Sequence, residues 1–193
     1  MCRRCSNQAE NVIMANTPPL DTQLTRLESF KPQYLTERYV SWLNDPEVVR
    51  YSEQRHHKHD LASCRTYVAS FEGTPNYLWA IIARDENLGH IGNVNAYVDE
   101  ANGIADVGIM IGDKGAWGKG YGVDAWKAVC RYLFLSAGMR KVTAGTMVTN
   151  LGMIGIMKKT GMRLDGLRAR QFIFDGKQVD LQYAALFRED FIP

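Results

Sequence analysis

The sequence lacks the long apolar run of a membrane-spanning helix, because no stretch approaches the roughly 20 residues that a span needs. It also lacks a strong charge of either sign: 23 Lys and Arg residues stand against 21 Asp and Glu residues, for a formal net charge of +2. We therefore predict neither nucleic acid nor an anionic membrane as a partner. The N-terminal stretch has no apolar segment typical of a signal peptide, so we expect a cytoplasmic location.

Cysteine is also scarce, with four residues in a chain of 193. Cys64 and Cys130 lie in segments with apolar periodicity, which predicts two small buried hydrophobic side chains. Cys2 and Cys5 form a CxxC pair, but no second pair of ligands accompanies it at the spacing of a zinc site. The histidines at 56, 57 and 59 do not complete such a set either. The sequence therefore predicts no metal site.

The chain does contain an alternation of strand and helix patterns that fits one domain. Residues 1–21 are polar and include Pro18-Pro19, which predicts a flexible N-terminal extension before a single domain over 22–193. The predicted elements are, in order, a strand at 24–30, a helix ending near Asn44, a short second helix after a proline-marked turn, a helix at 60–73, three antiparallel strands at 76–84, 88–99 and 104–112, a helix at 121–137, a strand at 141–148, a helix at 150–161 and a hairpin around Asp175-Gly176. This order predicts an α/β (α+β) fold, with one mixed, mostly antiparallel sheet of six or seven strands flanked by helices.

The stretch GAWGKGYG, residues 115–122, places four glycines directly before a helical segment. Glycines there let the backbone turn tightly and direct several N–H groups at one point. The start of the helix adds its own unpaired N–H groups and the positive end of its dipole. Together these features predict a seat for an anion such as phosphate. A plain glycine-rich turn between two elements is the alternative.

Three stretches in the right order resemble the GCN5-related N-acetyltransferase (GNAT) family. WGKGYG (117–122) is similar to the family's acetyl-CoA loop, ADVGIMIG (105–112) to the strand before it, and NLGMIGIMKKTGM (150–162) to its Asn-led helix. The likeness spans roughly residues 22–190. It is greatest to the branch with ribosomal-protein N-terminal acetyltransferases and sugar-amine acetyltransferases of surface-polysaccharide loci. It implies a GNAT fold whose V-shaped cleft takes acetyl-CoA, or another short-chain acyl-CoA, without a metal.

The resemblance also implies where the cofactor binds. Backbone N–H groups from Gly118 to Gly122 would hold the pyrophosphate, and an N–H near Met110 would polarise the thioester carbonyl. Asn150 matches an Asn that contacts the cofactor in the family, although its position also suits a helix N-cap. The predicted cofactor-binding residues are Ile109, Met110, Ile111, Trp117, Gly118, Lys119, Gly120, Tyr121, Gly122, Asn150 and Met157.

Two positions depart from the family pattern, and the acid–base groups are less clearly marked. Trp117 replaces the usual Gln or Arg of the loop, and Met157 replaces a Tyr that protonates the departing thiolate in many relatives. Tyr121 is a candidate donor for that proton, with packing as its alternative. Asp106 takes the place of a family Glu and is the predicted catalytic base, with a solvated strand residue as the alternative. Asp124 follows the loop, where an acid favours the helix dipole.

The segment at 41–60 carries the most information about the acceptor, because the first two helices wall the substrate side of the cleft in the family. The predicted substrate-binding residues are Trp42, Tyr51 and Arg55 in this segment, together with His90 and Asn93 near the start of the strand at 88–99. Aromatic stacking and Arg contacts suit the rings and phosphates of a nucleotide-linked amino sugar. The alternative is that Trp42 and Tyr51 only pack the helices.

These observations predict an acetyl-CoA-dependent N-acetyltransferase. Its predicted acceptor is a small-molecule amine, the amino group of a nucleotide-linked amino sugar in surface-polysaccharide biosynthesis. Acetylation of protein N-termini, as in the ribosomal-protein enzymes, is one alternative, and a non-catalytic CoA-binding module is another. In relatives a homodimer through the last strands is common, and the resemblance implies the same arrangement here.

Overall fold

A single eight-stranded sheet forms the centre of the computed structural model, which describes residues 17–192. The strands lie in the order β1-β2-β3-β4-β5-β6-β8-β7. They are β1 (Leu20–Asp21), β2 (Thr25–Ser29), β3 (Tyr77–Ala83), β4 (His90–Asp99), β5 (Ile104–Ile111), β6 (Lys141–Met147), β7 (Arg163–Phe174) and β8 (Lys177–Phe187). Every neighbouring pair is antiparallel except β5 and β6, which run parallel. The mixed, mostly antiparallel sheet is thus confirmed, with one strand more than the upper predicted number.

The additional strand lies inside the segment that the sequence analysis assigned to a flexible extension. Leu20 pairs with Leu27 and Asp21 with Arg26, so the sheet begins before residue 22. The carbonyl of Pro18 also accepts a hydrogen bond from the indole Nε1 of Trp79 at 2.9 Å. The predicted boundary is therefore too late by a few residues, because these long-range contacts order a stretch with no periodicity of its own. Residues 1–16, including Cys2 and Cys5, lie outside the described part of the chain.

Four α-helices cover the sheet: α1 (Glu37–Asn44), α2 (Leu61–Ala69), α3 (Tyr121–Leu135) and α4 (Leu151–Lys159). Short 3-10 helices lie at Pro32–Tyr34, Glu53–His56, Lys114–Ala116 and Arg188–Asp190. The second helix predicted after Pro46 is wrong, because turns lead there into the 3-10 helix at Glu53–His56. The side chain of Asp45 accepts a hydrogen bond from the N–H of Glu47 at 2.9 Å. Such local bonds stabilise a turn in competition with a helix.

The core has two parts, one on each face of the sheet. Trp79, Ile81 and Ile91 pack against α3 on one face, where Trp126 is fully buried. Phe30, Phe71 and Leu78 are buried with α1 and α2 on the other face. Cys64 and Cys130 are both free and buried, as their periodicity predicted. The helices on both faces thus fix the positions of β4 and β5 from either side.

The sheet parts between β5 and β6. Their register runs only from Ile104 opposite Lys141 to Asp106 opposite Thr143. Beyond that point β5 continues to Ile111 and remains paired with β4, while β6 continues to Met147 and remains paired with β8. The two strands therefore diverge, and the gap between them forms a V-shaped cleft with unpaired backbone groups on its walls.

Candidate active site

A cavity of about 1100 Å³ opens at the place where β5 and β6 part. Its cofactor side is lined by β5 from Val107 to Ile111, by the glycine-rich loop and the start of α3, and by the end of β6 and the start of α4. Its other side is lined by the turns after α1, by α2 and by β4. We call this space the main cavity. It joins the predicted cofactor segments to the predicted acceptor segments.

The glycines of the loop have distinct physical roles. Gly118 and Gly120 have positive φ angles of +73° and +90°, a region that favours glycine. Gly120 is the N-cap residue of α3 and brings no capping side chain, so the first N–H groups of the helix stay free for an anion. A Cβ at Gly122 would lie 3.1 Å from Ile156 Cδ1, so glycine there permits close packing of α3 against α4. The loop thus combines an exposed helix start with an adaptable backbone.

Other loop residues hold the turn or face solvent. Trp117 donates a hydrogen bond from Nε1 to the carbonyl of Ile111 at 2.8 Å, which ties the loop to the end of β5. Its side chain is 42% exposed and lines the main cavity. Tyr121 is buried and also lines the cavity, whereas Lys119 is exposed and does not. The structure therefore brings Trp117 and Tyr121, but not Lys119, to the predicted cofactor site.

Asn150 lines the main cavity and caps α4. Its Oδ1 accepts a hydrogen bond from the N–H of Met153 at 3.2 Å, and its Nδ2 donates to Thr146 Oγ1 at 3.0 Å. The capping alternative is thus confirmed for this side chain, while contact with the cofactor remains a prediction. Thr146, which the sequence analysis missed, is buried and also lines the cavity. Hydrophobic periodicity could not have identified Thr146, because its role is to bind the side chain that caps α4.

Met157 and Asp106, like Lys119, lie outside the main cavity. Met157 is 2% exposed and packs in the core, where Gln182 Nε2 lies 3.9 Å from its sulfur. Asp106 lies at the vertex of the cleft, where Thr143 Oγ1 donates a hydrogen bond to Asp106 Oδ1 at 2.7 Å. The crowding of protein around this carboxyl raises its pKa, and the bond from Thr143 partly offsets the rise. The role of Asp106 as a base stays a prediction, one that needs the acceptor to reach the vertex.

Asp124 has a structural position. Its Oδ2 accepts a hydrogen bond from Thr25 Oγ1 at 2.8 Å, another from the N–H of Leu24 at 3.3 Å, and a third from the hydroxyl of Thr22. The carboxylate therefore links the start of α3 to the loop between β1 and β2. This arrangement agrees with the helix-dipole interpretation and adds a tertiary function to it.

On the acceptor side, Trp42 and His90 are packing residues. Trp42 is 6% exposed, and a Cβ at Gly112 would lie only 2.1 Å from its ring, so the indole covers the end of β5. The His90 ring lies against Trp42, with 5.0 Å between ring centroids. Its Nε2 lies 3.0 Å from the carbonyl of Gly92 and 2.9 Å from Asn93 Oδ1, and burial lowers its pKa. Neither ring lines the main cavity.

Tyr51 and Asn93, by contrast, do line the main cavity. Tyr51 stacks on Phe174 near the tip of the β7–β8 hairpin, with 5.4 Å between ring centroids. Asn93 projects from β4 and is followed on the same face by Asn95, which the sequence analysis missed. The Asn-x-Asn alternation could have identified Asn95 in the sequence. It places two polar side chains on one buried face of a strand, where each requires a hydrogen-bond partner.

A second cavity, of about 400 Å³, adjoins the main one. The two share Leu43, Val49, Arg50 and Gln54 as lining residues. The remaining lining residues of the second cavity are Asn44, Pro46, Arg55, His56, His57, Lys58, Ile173, Phe174 and Asp175. Its wall thus comes from the predicted acceptor segment and from the hairpin tip, and it contains the predicted residue Arg55.

The charges of the second cavity are mainly positive. Arg50, Arg55 and Lys58 line it, against the single carboxylate of Asp175. Arg50 Nη2 lies 3.2 Å from Asp175 Oδ2, and Arg55 Nη1 lies 2.7 Å from Glu53 Oε1. Within residues 17–192, no carboxylate lies within 4.0 Å of the Lys58 ammonium. An anion would therefore find an unpaired cation there.

Among residues 17–192, no group of three or more His, Cys, Asp or Glu side chains has the arrangement of a metal site. In the same part of the chain, every helix is too short or too polar to cross a bilayer.

The comparisons with known proteins point in one direction. A family model described as an acetyltransferase (GNAT) domain matches residues 25–163. The chain is 25% identical, over 155 residues, to an uncharacterized N-acetyltransferase p20 from Bacillus licheniformis, and the match covers 77% of this chain and 84% of the relative.

Two solved structures share the fold. The ribosomal L7/L12 alpha-N-protein acetyltransferase RimL, solved with coenzyme A, superposes with a TM-score of 0.78 at 10% identity, over 90% of this chain and 99% of that one. The microcin C7 self-immunity acetyltransferase MccE, solved with acetyl-CoA and AMP, gives 0.71 at 15% identity, over 86% and 93%.

Proposed function

Because the chain belongs to the GNAT acetyltransferase family and is an acetyl-CoA-dependent N-acetyltransferase, we propose that its acceptor is the amino group of a nucleotide-linked amino sugar. The observation that carries this proposal is the basic second cavity beside the main one. The N-acetyltransferase assignment takes the place of the alternative prediction, a CoA-binding module without turnover.

Acetyl-CoA would occupy the cofactor side of the main cavity. The N–H groups of the loop and of the first turn of α3 would bind its pyrophosphate, because helix N-termini favour anions. The pantetheine arm would lie between the diverging β5 and β6, where backbone groups are unpaired. A β5 N–H near Met110 would donate to the thioester oxygen and stabilise the negative charge that develops there. Asn150 and Thr146 would fix the start of α4 against the arm.

The acceptor would extend from the main cavity into the second one. Its amine would lie near the polar face of β4 formed by Asn93 and Asn95. Its diphosphate would lie in the second cavity beside Arg50 and Lys58, where charge-assisted bonds favour phosphate. The stacked rings of Tyr51 and Phe174 offer an aromatic surface at the same place. MccE, a structural neighbour, was solved with a nucleotide as well as acetyl-CoA.

The test compares a nucleotide-linked amino sugar with the same free amino sugar in a thiol-release assay. We expect the free sugar to lose about 10- to 150-fold in kcat/KM, because it lacks a charge-assisted bond to phosphate worth about 1.5–3 kcal/mol. Lys58→Gln should lower kcat/KM for the nucleotide-linked amino sugar and leave kcat/KM for the free amino sugar unchanged. Lys127→Gln, at an exposed position on α3 outside both cavities, is the matched control.

The alternative acceptor is a protein N-terminus, as in RimL, whose fold this chain shares. Short peptides with a free N-terminus belong in the same assay for that reason. Turnover of such peptides, combined with silence on every nucleotide-linked amine, would contradict the proposal and leave the N-acetyltransferase assignment intact.

A further inference from the structure

The carboxamide of Asn93 lies in the wall of the main cavity, on β4, and only 8% of this residue is exposed. Its Oδ1 lies 2.9 Å from His90 Nε2, whereas its Nδ2 has no hydrogen-bond partner within residues 17–192. In the same part of the chain, two side-chain polar atoms are both fully buried and without a partner, and neither belongs to Asn93. The Nδ2 group therefore keeps accessible surface, and it opens on the main cavity.

The contacts of His90 decide which end of the Asn93 carboxamide faces the cavity. His90 Nε2 lies 3.0 Å from the carbonyl oxygen of Gly92 as well as 2.9 Å from the Asn93 side chain. A carbonyl oxygen only accepts, so Nε2 carries a proton and donates to both groups. The atom of Asn93 that faces the ring is consequently Oδ1, and the NH2 group lies on the side away from His90.

Three aromatic rings hold His90 behind the cavity wall. The ring centroids of Phe30, Tyr34 and Trp42 lie 6.1, 4.9 and 5.0 Å from that of His90. This packing restricts rotation of the imidazole, and the imidazole in turn restricts the carboxamide to one of its two orientations. The main cavity is thus offered a fixed hydrogen-bond donor.

The register of β4 and β5 places this donor beside the proposed position of the thioester. Asn93 is the cross-strand partner of Met110, and both residues line the main cavity. Side chains of cross-strand partners lie on the same face, with Cβ atoms about 4.5–5.5 Å apart. An amine that reaches a thioester at the Met110 backbone brings the carbon next to its own amine-bearing carbon over Asn93.

We propose that Asn93 selects acceptors that carry an oxygen on the carbon next to the amine-bearing carbon. Asn93 Nδ2 donates a hydrogen bond to that oxygen, and His90 is the positioning residue that keeps Nδ2 in place. An amino-sugar hydroxyl and the carbonyl of a peptide N-terminus both supply such an oxygen, whereas a plain alkylamine does not. This selection rests on the proposed function for the position of the thioester, and the nucleotide part of the acceptor plays no role in it.

Two ring amines of nearly the same shape, 3-aminotetrahydrofuran and cyclopentylamine, provide the test. The ether oxygen of the first only accepts hydrogen bonds and lies at the required position. Asn93→Asp keeps an oxygen towards His90 and replaces the donor by a second oxygen. We expect it to lower the preference for the ether, measured as the ratio of the two kcat/KM values, by roughly 10-fold or more.

Asn87→Asp, in the exposed turn before β4 and outside both cavities, is the matched control and should leave this ratio unchanged. His90→Phe releases the carboxamide, which can then present either end, so the ratio should fall by about threefold. The change of the ratio on substitution is decisive, because the two amines also differ in basicity. An unchanged dissociation constant for acetyl-CoA would confirm that each variant folds.

A ratio that Asn93→Asp leaves unchanged, or that Asn87→Asp lowers equally, would overturn the proposal. Glucosamine and alaninamide, assayed with the same variants, identify whether a sugar or a peptide supplies the oxygen. Silence on nucleotide-linked amino sugars, with the ratio still dependent on Asn93, would contradict the proposed acceptor and support this selection.

Nitrogen NMR of the full chain gives a readout that needs no turnover. We expect neutral His90 to carry its proton on Nε2, as donation to the Gly92 carbonyl requires. A proton on Nδ1 would contradict the assignment, because Asn93 would then turn its NH2 group towards the ring and its oxygen towards the cavity.

Discussion

Gly120→Ala is the substitution that tests the phosphate seat most sharply. Gly120 has φ of +90° at the N-cap of α3, and a Cβ there would lie 3.5 Å from Leu24 Cδ1. That distance is an ordinary contact, so space does not limit the substitution and only the backbone conformation does. Holding a residue with a Cβ in the left-handed region costs about 1–2 kcal/mol.

The chain has two ways to respond, and both are measurable. If the loop keeps its conformation, the free energy of unfolding falls by about 1–2 kcal/mol. If the loop relaxes, its N–H groups turn away from the pyrophosphate. The loss of one charge-assisted bond, worth about 1.5–3 kcal/mol, then raises the acetyl-CoA dissociation constant roughly 10- to 150-fold. We expect relaxation in the free enzyme, and therefore weaker binding.

Gly138→Ala is the matched control for this experiment. Gly138 lies beyond the other end of α3, has φ of +75°, and would place its Cβ in open space. It is also absent from the lining of the main cavity. Calorimetric titration with acetyl-CoA and denaturant unfolding, applied to both variants, separate strain from binding. Weaker acetyl-CoA binding in Gly120→Ala alone is the expected pattern, with a smaller loss of stability than strain in an unrelaxed loop would cause. An unchanged dissociation constant in Gly120→Ala would refute the reasoning.

Three further predictions concern residues around the cleft. Met157→Ala should lower the free energy of unfolding by about 2–5 kcal/mol in denaturant titration, because it leaves a cavity in the core; a variant that loses acetyl-CoA affinity without losing stability would disagree. Asp124→Ala should lower the free energy of unfolding by about 1.5–3 kcal/mol in thermal or denaturant unfolding, since it removes the acceptor of Thr22 and Thr25, and no change would argue against the link. Burial depresses the pKa of His90 in the folded state, so its contribution to stability is present above about pH 6.5 and is lost as the pH falls through and below that value. Unfolding measured from pH 7.5 to pH 5 should show this loss, and His90→Phe should reduce it; an identical pH slope in the variant would contradict the assignment.

The fold was predictable where local patterns are strong. The strands that became β3, β4 and β5 follow one another with clear turns, and the hairpin around Asp175-Gly176 is present as predicted. The start of the sheet was not predictable, because β1 has two residues and depends on its pairing with β2. A two-residue strand has no period that a sequence can display.

The cofactor side of the site was more predictable than the acceptor side. Glycine spacing and a following helix are local signals, and the loop does line the main cavity. The packing of Trp42 against His90 depends on how α1 lies on the sheet, and no local sequence pattern predicts that. The lining of the second cavity includes Arg50 and Asp175, which are far apart in sequence and form an ion pair. The sequence could not predict this cavity, because it forms only when the tertiary structure brings such residues together.

A crystal structure of the chain with acetyl-CoA bound would test the assigned cofactor cleft at once. We expect the pyrophosphate to lie on the N–H groups of 118–122 at the start of α3. We also expect the thioester carbonyl to lie against the β5 backbone at 109–111, with the pantetheine arm between β5 and β6. Acetyl-CoA bound at another surface, with the gap between β5 and β6 empty, would show that this cleft is not the cofactor site.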